Sequence, residues 1–309
     1  MPYALTKTIQ RNIPKAIARA RRLPAHLRAS WCKYVRRKPF WYTDRNGITL
    51  ELKPEDNLAV YFRSRLLFDD IGTIALLRRI IKPGLTVLDV GAHMGAFALF
   101  VANLLQGRGV VHAFEPTRSS YQRLARNVAY NQRLATNIIL NQLAVADTDG
   151  ELVLHTFPPQ YSAWNTLGQP ELADEHNRKR TPTATEKVRS VTVDAYCRSR
   201  FIERVDLLKI DVEGFEDNVI HGCSELLRQA AIPWVIFEIS LAPLKGSNKT
   251  PGGILTTFAQ LGFTLFRIEE DGALSPVGAI DRFEAPFFAN YFGVHAGATL
   301  PDGVLIRTA

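Results

Sequence analysis

The sequence predicts an α/β protein built on a doubly wound, mostly parallel sheet, and three observations lead to that fold class. Thr86–Val90 is a short apolar run of the kind that forms a buried parallel strand, and Gly91 and Gly95 follow it before a helix-capable segment. A second apolar strand ends beside Glu115, and a third follows at residues 137–147. Three strand–helix steps in this order predict a nucleotide-binding half-domain with its ligand at the carboxyl ends of the strands.

The chain divides on composition into three parts. Residues 1–39 form a basic arm, residues 40–84 a cap made of a hairpin and a helix, and residues 85–309 the sheet domain. The hairpin is predicted because Asn-Gly separates two strand-like runs. Residues 158–187 are polar and rich in proline, which predicts a loop insertion that serves as a lid or a binding loop.

The positive charge of the chain belongs to the arm. Residues 1–40 contain eleven Lys and Arg and no Asp or Glu, so the net charge of +8 leaves −3 for the rest once these eleven are subtracted. An arm of this kind suits an anionic membrane surface, a nucleic acid or an acidic partner. A transit peptide and a solvated extension fit the same composition.

The three cysteines and the lengths of the apolar runs indicate the cellular compartment of the protein. Cys32, Cys197 and Cys223 are odd in number and far apart, which favours a reducing compartment over a disulfide framework or a zinc site. No apolar run reaches the length of a membrane-spanning helix, and no secretory leader is recognisable. We therefore expect a cytoplasmic protein, with peripheral membrane contact through the arm as an addition.

The first glycine turn discriminates between two nucleotide ligands. Dinucleotide-binding turns carry three glycines, whereas here Gly91 and Gly95 flank Ala-His-Met and the middle glycine is missing. The carboxylate of Asp89, two residues before Gly91, would repel a pyrophosphate and favour a cationic ligand. A sulfonium compound with an ammonium group has that charge, so the sequence favours S-adenosylmethionine over a nicotinamide dinucleotide.

A second group of ionisable residues lies on a later strand. Lys209, Asp211 and Glu213 alternate along the run LLKIDVEG, and alternate residues on a strand share one face. Three such groups on a central strand indicate a ligand site, with Asp211 or Glu213 as general base and Lys209 as its orienting partner. An internal Lys209–Asp211 ion pair with Glu213 capping the next helix is the structural alternative. No histidine accompanies the carboxylates, so we assign no metal.

The chain resembles the FkbM-type S-adenosylmethionine-dependent methyltransferases, a branch of the Rossmann-like class I methyltransferases. The resemblance rests on TVLDVGAHMGAFALF, HAFEP, QLAVAD, SVTVDAY and above all LLKIDVEGFEDNVIHG, and it covers roughly residues 40–296. It implies a seven-stranded sheet with an antiparallel last strand. One departure is His93, where members of the family commonly carry Asn, and His93 is a rival candidate for the base.

The resemblance also implies roles for individual residues. Asp89, Gly91, His93 and Gly95 would form the loop around the methionine part of the cofactor, and Glu115 would bind the ribose. The Ala144–Val145 region would flank the adenine. Asp211 and Glu213 would lie beside the transferred methyl group, near the acceptor.

The expected activity is O-methylation of a hydroxyl on a sugar, a glycolipid or a secondary metabolite. Two alternatives stay open at this point. A nucleic-acid methyltransferase would use the basic arm for the phosphate backbone, although the near-neutral body carries no second basic stripe. A non-catalytic cofactor-binding scaffold would use the same arm as a tether.

Overall fold

The computed structural model describes residues 24–56, 58–64, 70–168, 172–173, 179–246, 249–277 and 288–307. The chain forms two compact units, Met1–Asp69 and Asp70–Ala309. This division falls at residue 69, whereas the sequence placed the end of the cap at residue 84. The helix Ile71–Ile80 thus belongs to the second unit, and the three-part organisation stays a prediction.

The first unit contains the hairpin that the Asn-Gly pair predicts. Strands β1 (Phe40–Thr43) and β2 (Thr49–Leu52) pair antiparallel. The side chain of Asp44 accepts hydrogen bonds from the backbone N–H groups of Asn46 and Ile48, which fixes the turn between the strands. Helical segments on either side complete the described part of this unit, namely Ala25–Trp31, a π-helical turn at Cys32–Arg36, and Leu58–Ser64.

The second unit is organised on a sheet of eight described strands. In spatial order these are β14 (Leu274–Pro276), β13 (Phe263–Ile268), β15 (Phe288–His295), β12 (Trp234–Ser240), β11 (Leu207–Ile210), β3 (Thr86–Val90), β4 (Val110–Phe114) and β5 (Ile138–Asn141). Five consecutive strands are parallel to one another, namely β12, β11, β3, β4 and β5. Strand β15 runs antiparallel to both β12 and β13.

The expected fold class is confirmed, with one correction to the strand count. Seven strands follow the predicted arrangement with an antiparallel last strand, and the three-residue β14 adds an eighth at the edge. So short an element carries no periodic signal, which is why the sequence does not reveal it. The central strands are buried on both faces, as parallel strands covered by helices must be, and Leu88 and Leu208 are fully buried.

The helices follow the predicted alternation with the strands, but several bounds differ. They are Ile71–Ile80, Ala96–Leu104, Arg118–Tyr130, Gln132–Ala135, Val193–Ser199, Glu216–Gly222, Ser224–Arg228, Leu241–Gly246 and Pro251–Gln260. The segment after residue 214, FEDNVIHGCSELL, forms two short helices separated at Cys223, although its sequence predicts one. Among the described residues, none of these helices combines the length and the apolar character required to cross a bilayer.

A separate three-stranded sheet corrects the prediction of one strand over residues 137–147. Strand β5 ends at Asn141, and Ala144–Val145 forms the short β6, which pairs parallel with β10 (Ala184–Val191). Strand β7 (Gly150–Thr156) pairs antiparallel with the other edge of β10. The chain leaves the main sheet between β5 and β6, so the two apolar runs serve different sheets.

The expected loop at residues 158–187 is partly regular. A 3₁₀-helix covers Pro159–Trp164, two-residue strands β8 (Leu172–Ala173) and β9 (Lys179–Arg180) pair antiparallel, and β10 begins within the insertion. Residues 169–171 and 174–178 of the insertion lie outside the described residues.

A helical glycine shows how tightly the second unit packs. A Cβ on Gly222 would lie 1.9 Å from the carbonyl oxygen of Ala146, next to β6, whereas a Cβ on Gly252 would meet nothing within 4 Å. Neither glycine has a positive φ. We expect Gly222→Ala to lower the free energy of unfolding by ~1–3 kcal/mol, since overpacking forces the backbone to move. Gly252→Ala, the matched control, should leave it unchanged or raise it by up to ~1 kcal/mol.

Urea unfolding of the two variants beside the natural protein measures both values. Equal stability of Gly222→Ala and Gly252→Ala would contradict the close approach between the helix Glu216–Gly222 and β6.

Candidate active site

Acidic residues collect where four parallel strands end. Strands β12, β11, β3 and β4 are consecutive parallel neighbours, so their carboxyl ends lie at one edge of the sheet. Asp89 lies near the end of β3, Glu115 directly follows β4, Asp211 directly follows β11, and Glu238 lies near the end of β12. In open α/β sheets this edge is where ligands bind.

Lys209 links two of these strands through ion pairs. It is the cross-strand partner of Asp89, and its Nζ lies 3.3 Å from Asp89 Oδ1 and 3.0 Å from Asp211 Oδ2. Nζ also donates a hydrogen bond to the carbonyl oxygen of Gly91 at 3.2 Å. Burial opposes the charged amine, but the carboxylates of Asp211 and Asp89 outweigh it and raise the pKa of Lys209, which stays a cation.

The glycine turn passes very close to the end of β11. Gly91 has φ +82°, and a Cβ there would lie 1.8 Å from the carbonyl oxygen of Asp211. The backbone N–H of Asp211 donates to Val90 O at 3.1 Å, which extends the ladder between β11 and β3 to this point. Gly95 also has a positive φ, and a Cβ on it would lie 2.5 Å from the Leu124 side chain. Close approach to backbone therefore requires glycine at 91, whereas at 95 the positive φ favours glycine and the Leu124 methyl can shift.

Glu115 is buried and held in one orientation. Its Oε2 accepts a hydrogen bond from the backbone N–H of His93 at 3.0 Å, and its Oε1 accepts from the backbone N–H of Thr117 at 3.0 Å and from the Thr117 hydroxyl. Burial raises the pKa of Glu115 to about 7, against the opposing effect of these donors. Carboxylate oxygens accept more than one hydrogen bond, so the fixed side chain can still bind ligand hydroxyls.

His93 is placed in the glycine turn rather than among the carboxylates after β11. Its φ is +48°, a region where Asn and His are tolerated better than most residues. The ring Nε2 lies 3.0 Å from the hydroxyl oxygen of Ser162, in the 3₁₀-helix of the insertion. The side chain therefore links the turn to the insertion.

Residues 157–168, which we call the strap, contact both sides of the site. Ser162 meets His93 of the glycine turn, and the buried Thr166 donates its hydroxyl to the carbonyl oxygen of Glu213 at 2.7 Å. Tyr161 and Trp164 stack on each other with ring centroids 4.6 Å apart, and Trp164 meets Phe157 edge-on. These aromatic contacts pack the residues of the strap against one another.

Glu238 is a functional candidate that the sequence reading did not select. Asp211, Glu213 and Glu238 each bring a carboxylate oxygen within 4.8 Å of the others, and all three are half-buried. Burial, followed by the neighbouring carboxylates, raises the pKa of Glu213 and of Glu238 well above the usual range. Its position beside β11 is what indicates a role for Glu238. Ile236 of β12 pairs with Lys209 of β11, and Glu238 lies two residues further along β12.

The structure corrects the geometry expected of Lys209, Asp211 and Glu213. Strand β11 ends at Ile210, so only Lys209 lies on it, and Glu213 has φ +53° in the turn that follows. The alternative reading is half right: the Lys209–Asp211 pair forms, but the helix Glu216–Gly222 starts without a side-chain cap. The carboxylates still converge, because the turn brings Glu213 back toward Asp211.

The three carboxylates of Asp211, Glu213 and Glu238 are also close enough together to hold a metal ion. Oxygen donors of this kind are those that hard divalent cations take. Clustered acidic groups are common without an ion, and we assign no metal here. A further acid, Glu216, is buried nearby, accepts a hydrogen bond from the Gly214 N–H at 3.0 Å, and has its pKa raised by burial to about 7.

Ala144 and Val145 lie in β6 and are buried. The backbone N–H of Ala146, next in the chain, donates to Val191 O at 3.1 Å and ties this stretch to β10. Their apolar side chains are of the kind that contact a base, but adenine contact stays a prediction.

Comparison with known proteins gives a family for the segment that carries these residues. Residues 89–265 match the family profile described as Methyltransferase FkbM domain. The methyltransferase sdnD of Sordaria araneosa is 32% identical over 158 residues, which are 45% of this chain and 60% of that protein. The 31-O-demethyl-FK506 methyltransferase FkbM of Streptomyces tacrolimicus is 31% identical over 166 residues, 47% of this chain and 62% of that protein.

The 2-O-methyltransferase NoeI of Sinorhizobium fredii is 27% identical over 154 residues, which are 47% of this chain and 60% of that protein. The chain thus spans about 60% of the length of each of these curated relatives. The match from residue 89 to residue 265 includes Asp89, the glycine turn, Glu115, Lys209 and the three carboxylates. The chain belongs to the FkbM family of S-adenosylmethionine-dependent methyltransferases.

Proposed function

We propose that this protein transfers a methyl group from S-adenosylmethionine to a hydroxyl oxygen of a sugar, a glycolipid or a secondary metabolite. The observation that carries the proposal is the cluster of three carboxylates, Asp211, Glu213 and Glu238, at the sheet edge beside the family's cofactor turn. Two relatives, the 31-O-demethyl-FK506 methyltransferase FkbM and the 2-O-methyltransferase NoeI, are named for O-methylation, which supports oxygen as the acceptor atom.

The residues at the donor side fit this cofactor. Gly91 and Gly95 place no side chain at the two ends of the turn, and Glu115 offers a fixed carboxylate for ribose hydroxyls. Ala144 and Val145 supply apolar surface for a base. Asp89, paired with Lys209, gives this side its acidic character, which suits a cationic ligand. When bound, S-adenosylmethionine supplies a methyl group activated by its sulfonium.

The acceptor side has to orient a hydroxyl and remove its proton. As the new carbon–oxygen bond forms and the carbon–sulfur bond breaks, the hydroxyl proton passes to a carboxylate of Asp211, Glu213 or Glu238. Orientation of the reacting atoms is worth up to ~7–11 kcal/mol, and general-base help adds a factor of about 10²–10⁴. Lys209 is a positioning residue, because it holds the Asp211 carboxylate. His93, bonded to Ser162, positions the strap in this scheme instead of acting as the base.

The carboxylates give the first test of the proposal. We expect Asp211→Asn, Glu213→Gln and Glu238→Gln to lower turnover, the base by about 10²–10⁴-fold, while affinity for S-adenosylmethionine stays near that of the natural protein. The exposed Glu203→Gln is the matched control and should change neither. Transfer of a labelled methyl group to a panel of sugars, glycolipids and hydroxylated metabolites measures turnover, and calorimetry measures affinity.

The pH profile makes this test more specific. A base with a raised pKa gains activity as pH rises through that pKa, so turnover should increase with pH above the ordinary carboxyl range. Glu213→Gln removes a negative neighbour that raises the pKa of Glu238, so a profile set by Glu238 should move to lower pH. Unchanged turnover in all three carboxylate variants would overturn the assignment, and failure to bind S-adenosylmethionine would overturn the enzyme reading itself.

Glu115 tests the donor side independently. Glu115→Gln should weaken S-adenosylmethionine binding by about 10- to 100-fold, which corresponds to the ~1.5–3 kcal/mol that hydrogen bonds to charged groups contribute. Saturating cofactor should restore most of the turnover. Calorimetry with Glu203→Gln as control decides the point, and natural affinity in Glu115→Gln would contradict a ribose contact.

A further inference from the structure

The helical segment Ala25–Arg36 has an inner side packed within its own unit. Cys32 is 4% exposed. The Arg28 guanidinium lies over the Phe62 ring at 4.0 Å from its centroid, and Arg36 lies over Phe40 at 4.9 Å. Arginine stacked on aromatic rings covers apolar surface with its stem and keeps its charge. These contacts fix which side of the segment faces outward.

The outer side combines apolar side chains with cations. Leu27, Tyr34 and Val35 are 47%, 62% and 65% exposed. Lys33, Arg37 and Lys38 are exposed beside them. We call these six residues the outer basic face. The first acidic residue of the chain is Asp44, so no carboxylate within residues 1–43 offsets this charge.

We propose that the outer basic face docks on an anionic lipid bilayer surface. Tyrosine and aliphatic side chains insert at the headgroup level while the neighbouring lysines and arginines meet lipid phosphates and carboxylates, the combination that holds interfacial helices on membranes. The rest of residues 1–40 adds further cations on the same arm. Charge complementarity therefore extends beyond the face itself.

A nucleic acid is the less favoured partner for the same surface. Phosphate-backbone binding uses the cations but gives no role to the exposed Leu27 and Val35, which a bilayer would remove from water. A variant that removes apolar side chains and keeps every charge distinguishes the two partners, because it should weaken binding to a bilayer only. Loss of Tyr34 and Val35 weakens a lipid contact, whereas a purely electrostatic contact depends on the cations alone.

Co-sedimentation of the full chain with phospholipid vesicles tests the proposal. One set of vesicles is phosphatidylcholine and the other is phosphatidylcholine mixed with phosphatidylserine, each at low and high salt. Two double variants separate the components: Tyr34→Ser with Val35→Ser keeps every charge, and Lys33→Gln with Lys38→Gln keeps the apolar residues. The control combines Phe201→Ser, at a side chain 92% exposed, with Lys82→Gln, both in the second unit.

The natural protein should bind only the vesicles with phosphatidylserine, and binding should fall as salt rises. The Lys33→Gln, Lys38→Gln variant should lower the partition coefficient by about tenfold or more, since each cation near such a surface contributes about fivefold. The Tyr34→Ser, Val35→Ser variant should also lower it by about tenfold or more, since it removes two apolar side chains from the headgroup region. The control should bind like the natural protein. Circular dichroism and thermal unfolding show that the variants stay folded.

Three results would overturn the proposal. The first is no binding to phosphatidylserine vesicles at low salt. The second is undiminished binding by the Tyr34→Ser, Val35→Ser variant. The third is tighter binding to a single-stranded RNA oligonucleotide than to the vesicles at the same salt, which would assign the arm to nucleic acid.

Discussion

The site depends on one buried cation shared by two carboxylates. Lys209 contacts Asp89 and Asp211 and also donates to the carbonyl oxygen of Gly91. Removing an amine and a carboxylate from water is costly unless each is paired. The pairing therefore lowers the free-energy cost of burying these charges at the centre of the sheet. It also joins β3, on the side proposed for the donor, to the end of β11, on the side proposed for the acceptor.

For Glu213 and Glu238, the Lys209 cation lowers the pKa but is outweighed by burial and by the neighbouring carboxylates. Glu213 and Glu238 lie beside Asp211, whose nearest amine is already shared with Asp89. Their pKa values are raised first by burial and then by this excess of negative charge. A proton or a cationic ligand relieves it. The proposed reaction uses both, since the donor is cationic and one carboxylate must take up a proton.

The strap adds a second connection between the two sides. Its contacts with His93 and with the backbone of Glu213 reach the glycine turn and the turn after β11 from the same short segment. Both residues have positive φ, a conformation that costs energy in residues other than glycine and persists where surrounding contacts hold it. Movement of the strap would therefore be felt by both turns.

The sequence predicts the parts of the molecule that depend on local pattern. Apolar runs and glycines place the central strands, and the Asn-Gly pair places the hairpin. Three features escaped because they depend on distant contacts: β14 pairs through only three residues, β6 leaves the main sheet for β10, and Glu238 reaches the site from a separate strand. Glu213 was placed on a strand because alternation was assumed to continue past Ile210, where the backbone instead turns. Roles at the cofactor turn came from family resemblance rather than from spacing.

The central claim is that Lys209 holds two buried carboxylates together, and one stability measurement tests it directly. The free energy of unfolding is compared for the natural protein, Lys209→Met, and the double variant Lys209→Met with Asp89→Asn. Removing the amine alone strands a buried charge and should cost ~3–5 kcal/mol, and neutralising Asp89 as well should recover much of that loss. Equal stability of Lys209→Met and the natural protein, or no recovery in the double variant, would contradict the account.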